Sequence, residues 1–325
     1  MTYASKSLKL IPYADPILIA SACWPFLVIL NWVFGNHASF DFWQVYYFTL
    51  PHRWLTLALV AIDPDRRKGL GWWLPTAFLV FFIAVALPLA TSGTLLCLAL
   101  VDYVWNAWHF GSQHGGIARI YGIKSGQNRP YFDKWGFRIL VPYALLRPVE
   151  WTFGWVLDGS IADTVLLTTD FLAIGLAIVI TLAAVIPSPS RTISRVGYIL
   201  SICGLYSGLI VATRMGNSKL VTSMLTASAL MHAMEYIAFV SIYAMGRIEK
   251  GGDGPIRRIA SEWVPVAIFY LILLGTFGML IDADPAYAWY WGTVNLWVAF
   301  LHYWLDGMIW RLRDGGLSRG MTASI

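Results

Sequence analysis

Apolar residues in this chain gather into runs of about twenty, divided by short polar stretches, and the runs recur along its whole length. A run of that length covers roughly 30 Å as an α-helix, the thickness of a bilayer's hydrocarbon core. Ten such segments are expected, at 14–34, 43–62, 72–91, 94–117, 137–157, 164–186, 195–213, 220–245, 263–281 and 287–310. Pro51, Pro88 and Pro148 fall inside them, which membrane helices tolerate where neighbouring groups satisfy the freed backbone. The longest connection, 118–136, has turn residues (Gly122, Gly126, Asn128, Pro130) but too little chain for a domain. The expected fold is therefore all-α, a polytopic transmembrane helix bundle of about ten spans, forming a single integral membrane domain over residues 1–325.

Composition points the same way. Charged residues are 13% of the 325 positions and hydrophobic ones 58%, whereas a soluble domain carries roughly 25% charge. Most of the surface must then meet lipid, and the 17 Trp suit the membrane interface. The net charge of +5 is no sign of a nucleic-acid partner, because the basic residues lie in short loops where they set topology. Counting sides by alternation, one side receives Lys6 and Lys9, Arg66 to Lys68, Arg119 to Arg138, Arg191 and Arg195, Arg247 to Arg258, and Arg311 to Arg319. The other has Arg214 and Lys219 beside Asp158, Asp163, Asp282 and Asp284. The positive-inside rule then puts both termini in the cytoplasm, in a multi-pass protein of a bacterial inner membrane. Residues 1–13 show no cleavage pattern, so the first run is expected to stay as a helix. Cys23, Cys97 and Cys203 are scattered over apolar runs, which speaks against a disulfide framework or a thiolate metal site.

Polar residues inside the spans are the candidates for function, since an ionisable side chain there costs roughly 2.5–3.5 kcal/mol on insertion scales. Five of the six histidines lie within expected spans: His52, His109, His114, His232 and His302, with His37 in a loop. In the fourth span Asp102, Asn106, His109 and Gln113 share an arc of roughly 60°, at about 100° per residue. They form a polar stripe that should face the bundle interior. His114 lies on its flank and is expected to serve the cytoplasmic end of that span. Ser228, His232 and Glu235 share one face of the eighth span, and His with Glu at i, i+3 offers an imidazole and a carboxylate to one metal.

In the tenth span Asn295, His302 and Asp306 repeat the spacing of Asp102, His109 and Gln113, a faint internal echo. The second span contributes His52, between Pro51 and Arg53, with Thr49 and Thr56 close by. Spans two, four, eight and ten run in one direction, and their polar residues overlap in depth from midplane to the cytoplasmic half. One shared polar site is expected, with Arg147 and Glu150 of the fifth span paired at its edge. A salt bridge from Asp306 to Arg311 competes with a role at that site.

Neutral imidazoles with one or two carboxylates suit non-heme iron, and less specifically zinc or copper. The expected metal ligands are His52, His109, His232, Glu235 and His302. Asp102, Asn106, Gln113 and Asp306 are expected to orient the imidazoles from behind. The substrate should be apolar and enter from the lipid bilayer: a fatty acyl chain, a sterol or an isoprenoid. The spans and loops leave no room for a soluble electron-transfer domain, so an oxygenase here needs an electron-donor protein or a dioxygenase stoichiometry. The tight HxxxH and HxxHH clusters of membrane desaturases are absent. In plan, with single histidines scattered over many spans, the chain is similar to the membrane-integral carotene-cleaving dioxygenases, a likeness of layout and not of motif. Two other readings use the same residues. One is a proton-coupled transporter or channel with a His/Asp/Glu relay; the other is a heme protein with His109 ligating opposite His302 or His232.

Overall fold

The computed structural model describes residues 15–34, 45–126, 130–149, 159–186, 192–249 and 255–310. Among these the chain is helical throughout, with no strand. The elements are α1 (Pro16–Ala22), α2 (Trp24–Phe34), a π turn (Val45–Thr49) leading into α3 (Leu50–Ile62), α4 (Pro64–Arg67), α5 (Trp73–Ser92), α6 (Leu96–Lys124) and α7 (Pro130–Leu146). They continue with α8 (Ser160–Val185), α9 (Ile193–Arg214), α10 (Ser218–Glu249), α11 (Pro255–Ala260), α12 (Trp263–Asp282) and α13 (Pro285–Ile309).

Among the described residues six helices are long and apolar enough to cross a membrane: Pro16–Phe34, Trp73–Ser92, Ile161–Val185, Ile193–Arg214, Ser218–Gly246 and Trp263–Asp282. α5 and α12 leave large apolar side chains outside, among them Phe82, Leu87, Phe269 and Leu273. Such faces suit a lipid surround and would be costly in water. The remaining long stretches, residues 45–62, α6, α7 and α13, fall short of that standard, and three of them carry His52, His109 and His302. Buried histidines and weak apolar signal coincide on these three.

Local chemistry explains the breaks. Asp15 caps α1, accepting from the Ile17 and Leu18 amides at 3.1 Å, with Pro16 at the first helical position. The π turn precedes Pro51, whose missing N–H leaves the Tyr47 carbonyl without its usual donor four residues on. The fifth segment begins at Pro130 and ends at Leu146, earlier than the expected 137–157. Its first turn holds Asp133 and Lys134, so an apolar window finds it late, although Pro130 starts it and Phe137, Leu140, Val141 and Ala144 bury its inner face. Residues 150–157 of the expected span lie outside the described residues.

The chain divides into two compact units of interleaved sequence, Asp41–Tyr103 with Ala233–Ile325 (and residues 1–14), and Asp15–Phe40 with Val104–His232. In the first unit α13 packs against α3, α5 and α12. One polar latch gathers the C-terminal ends of α3, α10 and α13. Tyr243 donates to Asp63, Arg66 Nε donates to the Tyr243 hydroxyl at 3.0 Å, and Arg66 Nη1 to the Ile309 carbonyl at 2.7 Å. The guanidinium also lies 4.4 Å from the Tyr243 ring centre and 5.0 Å from that of Trp310. These three helices therefore run in one direction. At the opposite end Tyr46 donates to Asp282, which joins the start of the π segment to the end of α12.

In the second unit α9 packs against α1, α7 and α8. Asp133 and Arg195 pair at 3.5 Å across the starts of α7 and α9, and Asp163 pairs with Arg214 at 2.7 Å across the start of α8 and the end of α9. α8 and α9 are thus antiparallel, as the alternation requires. α6 and α7 approach closely at Gly111, where an added Cβ would meet the Phe137 carbonyl at 2.8 Å and Pro142 Cδ at 3.0 Å. Gly111→Ala is expected to destabilise the protein by about 1–3 kcal/mol through that backbone clash. Gly116→Ala, with nothing within 4 Å of its Cβ, should be neutral or gain up to about 1 kcal/mol of helix propensity. Melting curves of the two variants in one detergent check the contrast.

Candidate functional site

Each unit carries its own pair of buried histidines on long helices. In the first unit His52 (α3) and His302 (α13) are buried, with ring centres 4.9 Å apart and planes at 87°. Thr56, one turn on from His52, places its Oγ1 2.7 Å from His302 Nδ1. Tyr236 of α10 lies edge-on to both rings. Its hydroxyl stands 2.6 Å from Thr56 Oγ1 and donates to Asp306 Oδ1 at 3.0 Å, while Thr56 donates to the same oxygen at 3.3 Å. Asp306 follows His302 by one turn, with Oδ2 3.9 Å from His302 Nε2.

Thr56 Oγ1 can meet His302 Nδ1 as donor or acceptor, according to the imidazole tautomer. In the tautomer with the proton on Nδ1, Thr56 accepts it and Nε2 presents its lone pair, as a metal ligand must. A ring nitrogen of His52 and a carboxylate oxygen of Asp306 each lie within 4.8 Å of a nitrogen of His302. Each pair, His52 with His302 and His302 with Asp306, is spaced as two ligands of one ion would be.

The adjoining face of the same two helices holds a second polar group. Tyr303 donates to Asp102 Oδ1 at 2.9 Å, and the Arg53 guanidinium carbon lies 5.7 Å from the Tyr303 ring centre. Asp102 is thus tied to a tyrosine next to His302, a partner that the polar stripe on α6 did not suggest. Further along, Asn295 accepts from Trp54 Nε1 at 3.0 Å. Also in this unit, α5 and α13 wall an open apolar groove of about 600 Å³ lined by Leu74, Pro75, Phe78, Leu79, Phe82 and Trp297.

In the second unit His109 of α6 and His232 of α10 are buried with ring centres 5.0 Å apart. Phe110 stacks on His232 at 3.8 Å. Gln113 Nε2 donates to the backbone carbonyl of His232 at 3.1 Å, supporting the helix that carries the imidazole. Asn106 is half-buried, and Glu235 is buried one turn beyond His232 on α10. His114 is fully buried, with Nδ1 2.9 Å from the Tyr198 hydroxyl and Nε2 3.1 Å from that of Tyr206, which in turn lies 2.9 Å from Ser228 Oγ. It belongs to a core network and does not serve the helix end.

No family model, curated protein or solved structure matches this chain. The geometry alone therefore carries the functional argument. Two axial imidazoles on opposite faces of a porphyrin hold their ring centres about 6 Å apart. The pairs at 4.9 and 5.0 Å would each have to open to admit one. Arg147 pairs with Asp170 at 3.1 Å, an oxygen that also accepts from Tyr143 at 2.6 Å. Its expected partner Glu150 lies outside the described residues, as do His37 and Arg311. Tyr236, Tyr303, Tyr198 and Tyr206 were not foreseen. The signal for the first two was adjacency, since each sits on a helix that already carries a candidate histidine.

Proposed function

We propose that this chain is an integral membrane metalloenzyme, a non-heme-iron oxidoreductase acting on an apolar lipid or isoprenoid. The observation that supports the reading is that His52 and Asp306 each approach His302 within one unit, with Thr56 Oγ1 2.7 Å from His302 Nδ1. Two histidines and a carboxylate suit non-heme iron and leave coordination positions open for oxygen and substrate; zinc is the next candidate. In that role the two imidazoles and Asp306 hold the ion, while Thr56 and Tyr236 keep His302 and Asp306 oriented. His109, His232 and Glu235 are the remaining proposed ligands, to be tested by the same route. Iron supplies the redox step when bound, and a partner protein supplies electrons if the stoichiometry demands them. Elemental analysis and an absorption spectrum of detergent-purified protein test this. About one iron per chain without a Soret band supports it, and protein with neither iron nor zinc sinks it.

We further propose ten spans with both termini cytoplasmic, in a bacterial inner membrane. Helix directions within each unit support this: the latch at Arg66 gathers the ends of α3, α10 and α13 in the first, and the Asp163–Arg214 pair makes α8 and α9 antiparallel in the second, both as alternation requires. In a Cys97→Ala background, a cysteine at Gly69 should resist a membrane-impermeant maleimide in intact cells. A cysteine at Gly159 should react. The reverse pattern would invert the topology.

A second reading draws on the Ser228–Tyr206–His114–Tyr198 chain. Such a chain is how a proton relay is built, and it favours a proton-coupled transporter. Proteoliposomes that take up protons without metal would decide for it.

A further inference from the structure

The metalloenzyme reading leaves the head group of its substrate open, and Arg53 addresses it. A guanidinium keeps its charge and five donors at any physiological pH. Arg53 lies eight residues past Val45, about 12 Å into its helical stretch. Its Nε is buried without a hydrogen-bond partner among the described residues. The Tyr303 ring beneath it offers a π-face at 5.7 Å, but the Tyr303 hydroxyl is given to Asp102. Asp102 attracts the guanidinium, yet no ion pair joins the two among the described residues. A charged donor fork in an apolar surround, partly accessible, is an incomplete site that an acceptor from outside would complete.

We propose that Arg53 receives the carboxylate of a long-chain fatty acid, whose chain then runs past the His52–His302 pair. The inference rests on the metalloenzyme reading only in naming its substrate. Carboxylate and phosphate both match the guanidinium fork. The carboxylate is favoured because Asp102 stands nearby, and a phosphate would bring a second negative charge against it. His52 is the chain neighbour of Arg53, with Cα atoms about 3.8 Å apart. Their side chains point about 100° apart, so a head held at Arg53, over Tyr303, lies on the face of α3 and α13 next to the one that carries His52 and His302. The groove of about 600 Å³ offers room for a single tail; its Trp297 lies six residues before Tyr303, about 9 Å along α13.

The test is equilibrium binding of labelled oleate to detergent-solubilised wild type, Arg53→Gln and Arg53→Lys, with methyl oleate and dioleoyl phosphatidate as competitors. Wild type should prefer oleate over its methyl ester by at least tenfold, Arg53→Gln should lose that preference, and Arg53→Lys should keep part of it. Equal binding of acid and ester by wild type, or an unchanged preference in Arg53→Gln, overturns the proposal. Phosphatidate that displaces oleate more effectively than oleate itself assigns the head to a phospholipid and also overturns it. If Arg53→Gln fails to fold, the wild-type acid-to-ester ratio still decides. Metal content is measured on the same samples. Metal-free wild type would sink the metalloenzyme reading, whereas the oleate preference stands or falls separately.

Discussion

Arg195→Met is expected to be among the most damaging single substitutions in the second unit, costing about 3–5 kcal/mol. Arg195 and Asp133 are each 2% exposed and lie 3.5 Å apart, bracing the starts of α9 and α7. Removing one partner takes the opposite charge from a side chain that stays buried, and that loss is the larger part of the cost. Replacing both should recover most of the loss, because an apolar pair of similar volume has no charge to strand. The melting temperature in detergent should fall by about 4–7 °C in Arg195→Met. It should return towards wild type in Asp133→Leu/Arg195→Met. A double variant as unstable as the single would mean that the side chains hold something besides each other.

Thr56→Val is expected to weaken metal binding by about 10–100-fold while leaving the fold intact. Valine keeps the volume of threonine but removes the acceptor 2.7 Å from His302 Nδ1 and the donor to Asp306. The imidazole then loses its hydrogen-bond partner at Nδ1, and the carboxylate loses one of its two hydroxyl donors. Tyr236→Phe should act in the same direction, since its hydroxyl is the other donor. Metal titration of the stripped protein against a competing chelator reads the effect. An affinity within twofold of wild type would mean that His302 does not bind metal through Nε2.

The sequence was most informative where one physical rule dominated. Runs of about twenty apolar residues follow from bilayer thickness; eight of the ten expected segments match a helix or a pair of consecutive helical pieces to within about four residues, and a ninth, 94–117, runs on to Lys124. The exception, at Pro130–Leu146, starts with a charged turn that hydropathy penalises although Pro130 opens it. Helical spacing correctly put Thr56 near His52 and Asp306 one turn from His302. It could not say what stands opposite. That Asp102 meets Tyr303, and that His114 sits between Tyr198 and Tyr206, depends on which helices pack together. Packing partners leave no periodic trace in a single chain. The tyrosines were hidden for a simpler reason: in a sequence with 16 Tyr, an aromatic on a buried face looks like core until its hydroxyl finds an acceptor.

The central claim is that His52, His302 and Asp306 hold a redox metal. The most direct measurement is the metal-to-protein ratio of His52→Ala, His302→Ala and Asp306→Asn beside wild type, after reconstitution with ferrous iron and removal of excess. The account predicts about one iron per wild-type chain, near-complete loss in both histidine variants, and a partial loss in Asp306→Asn. Full iron content in His302→Ala would contradict it.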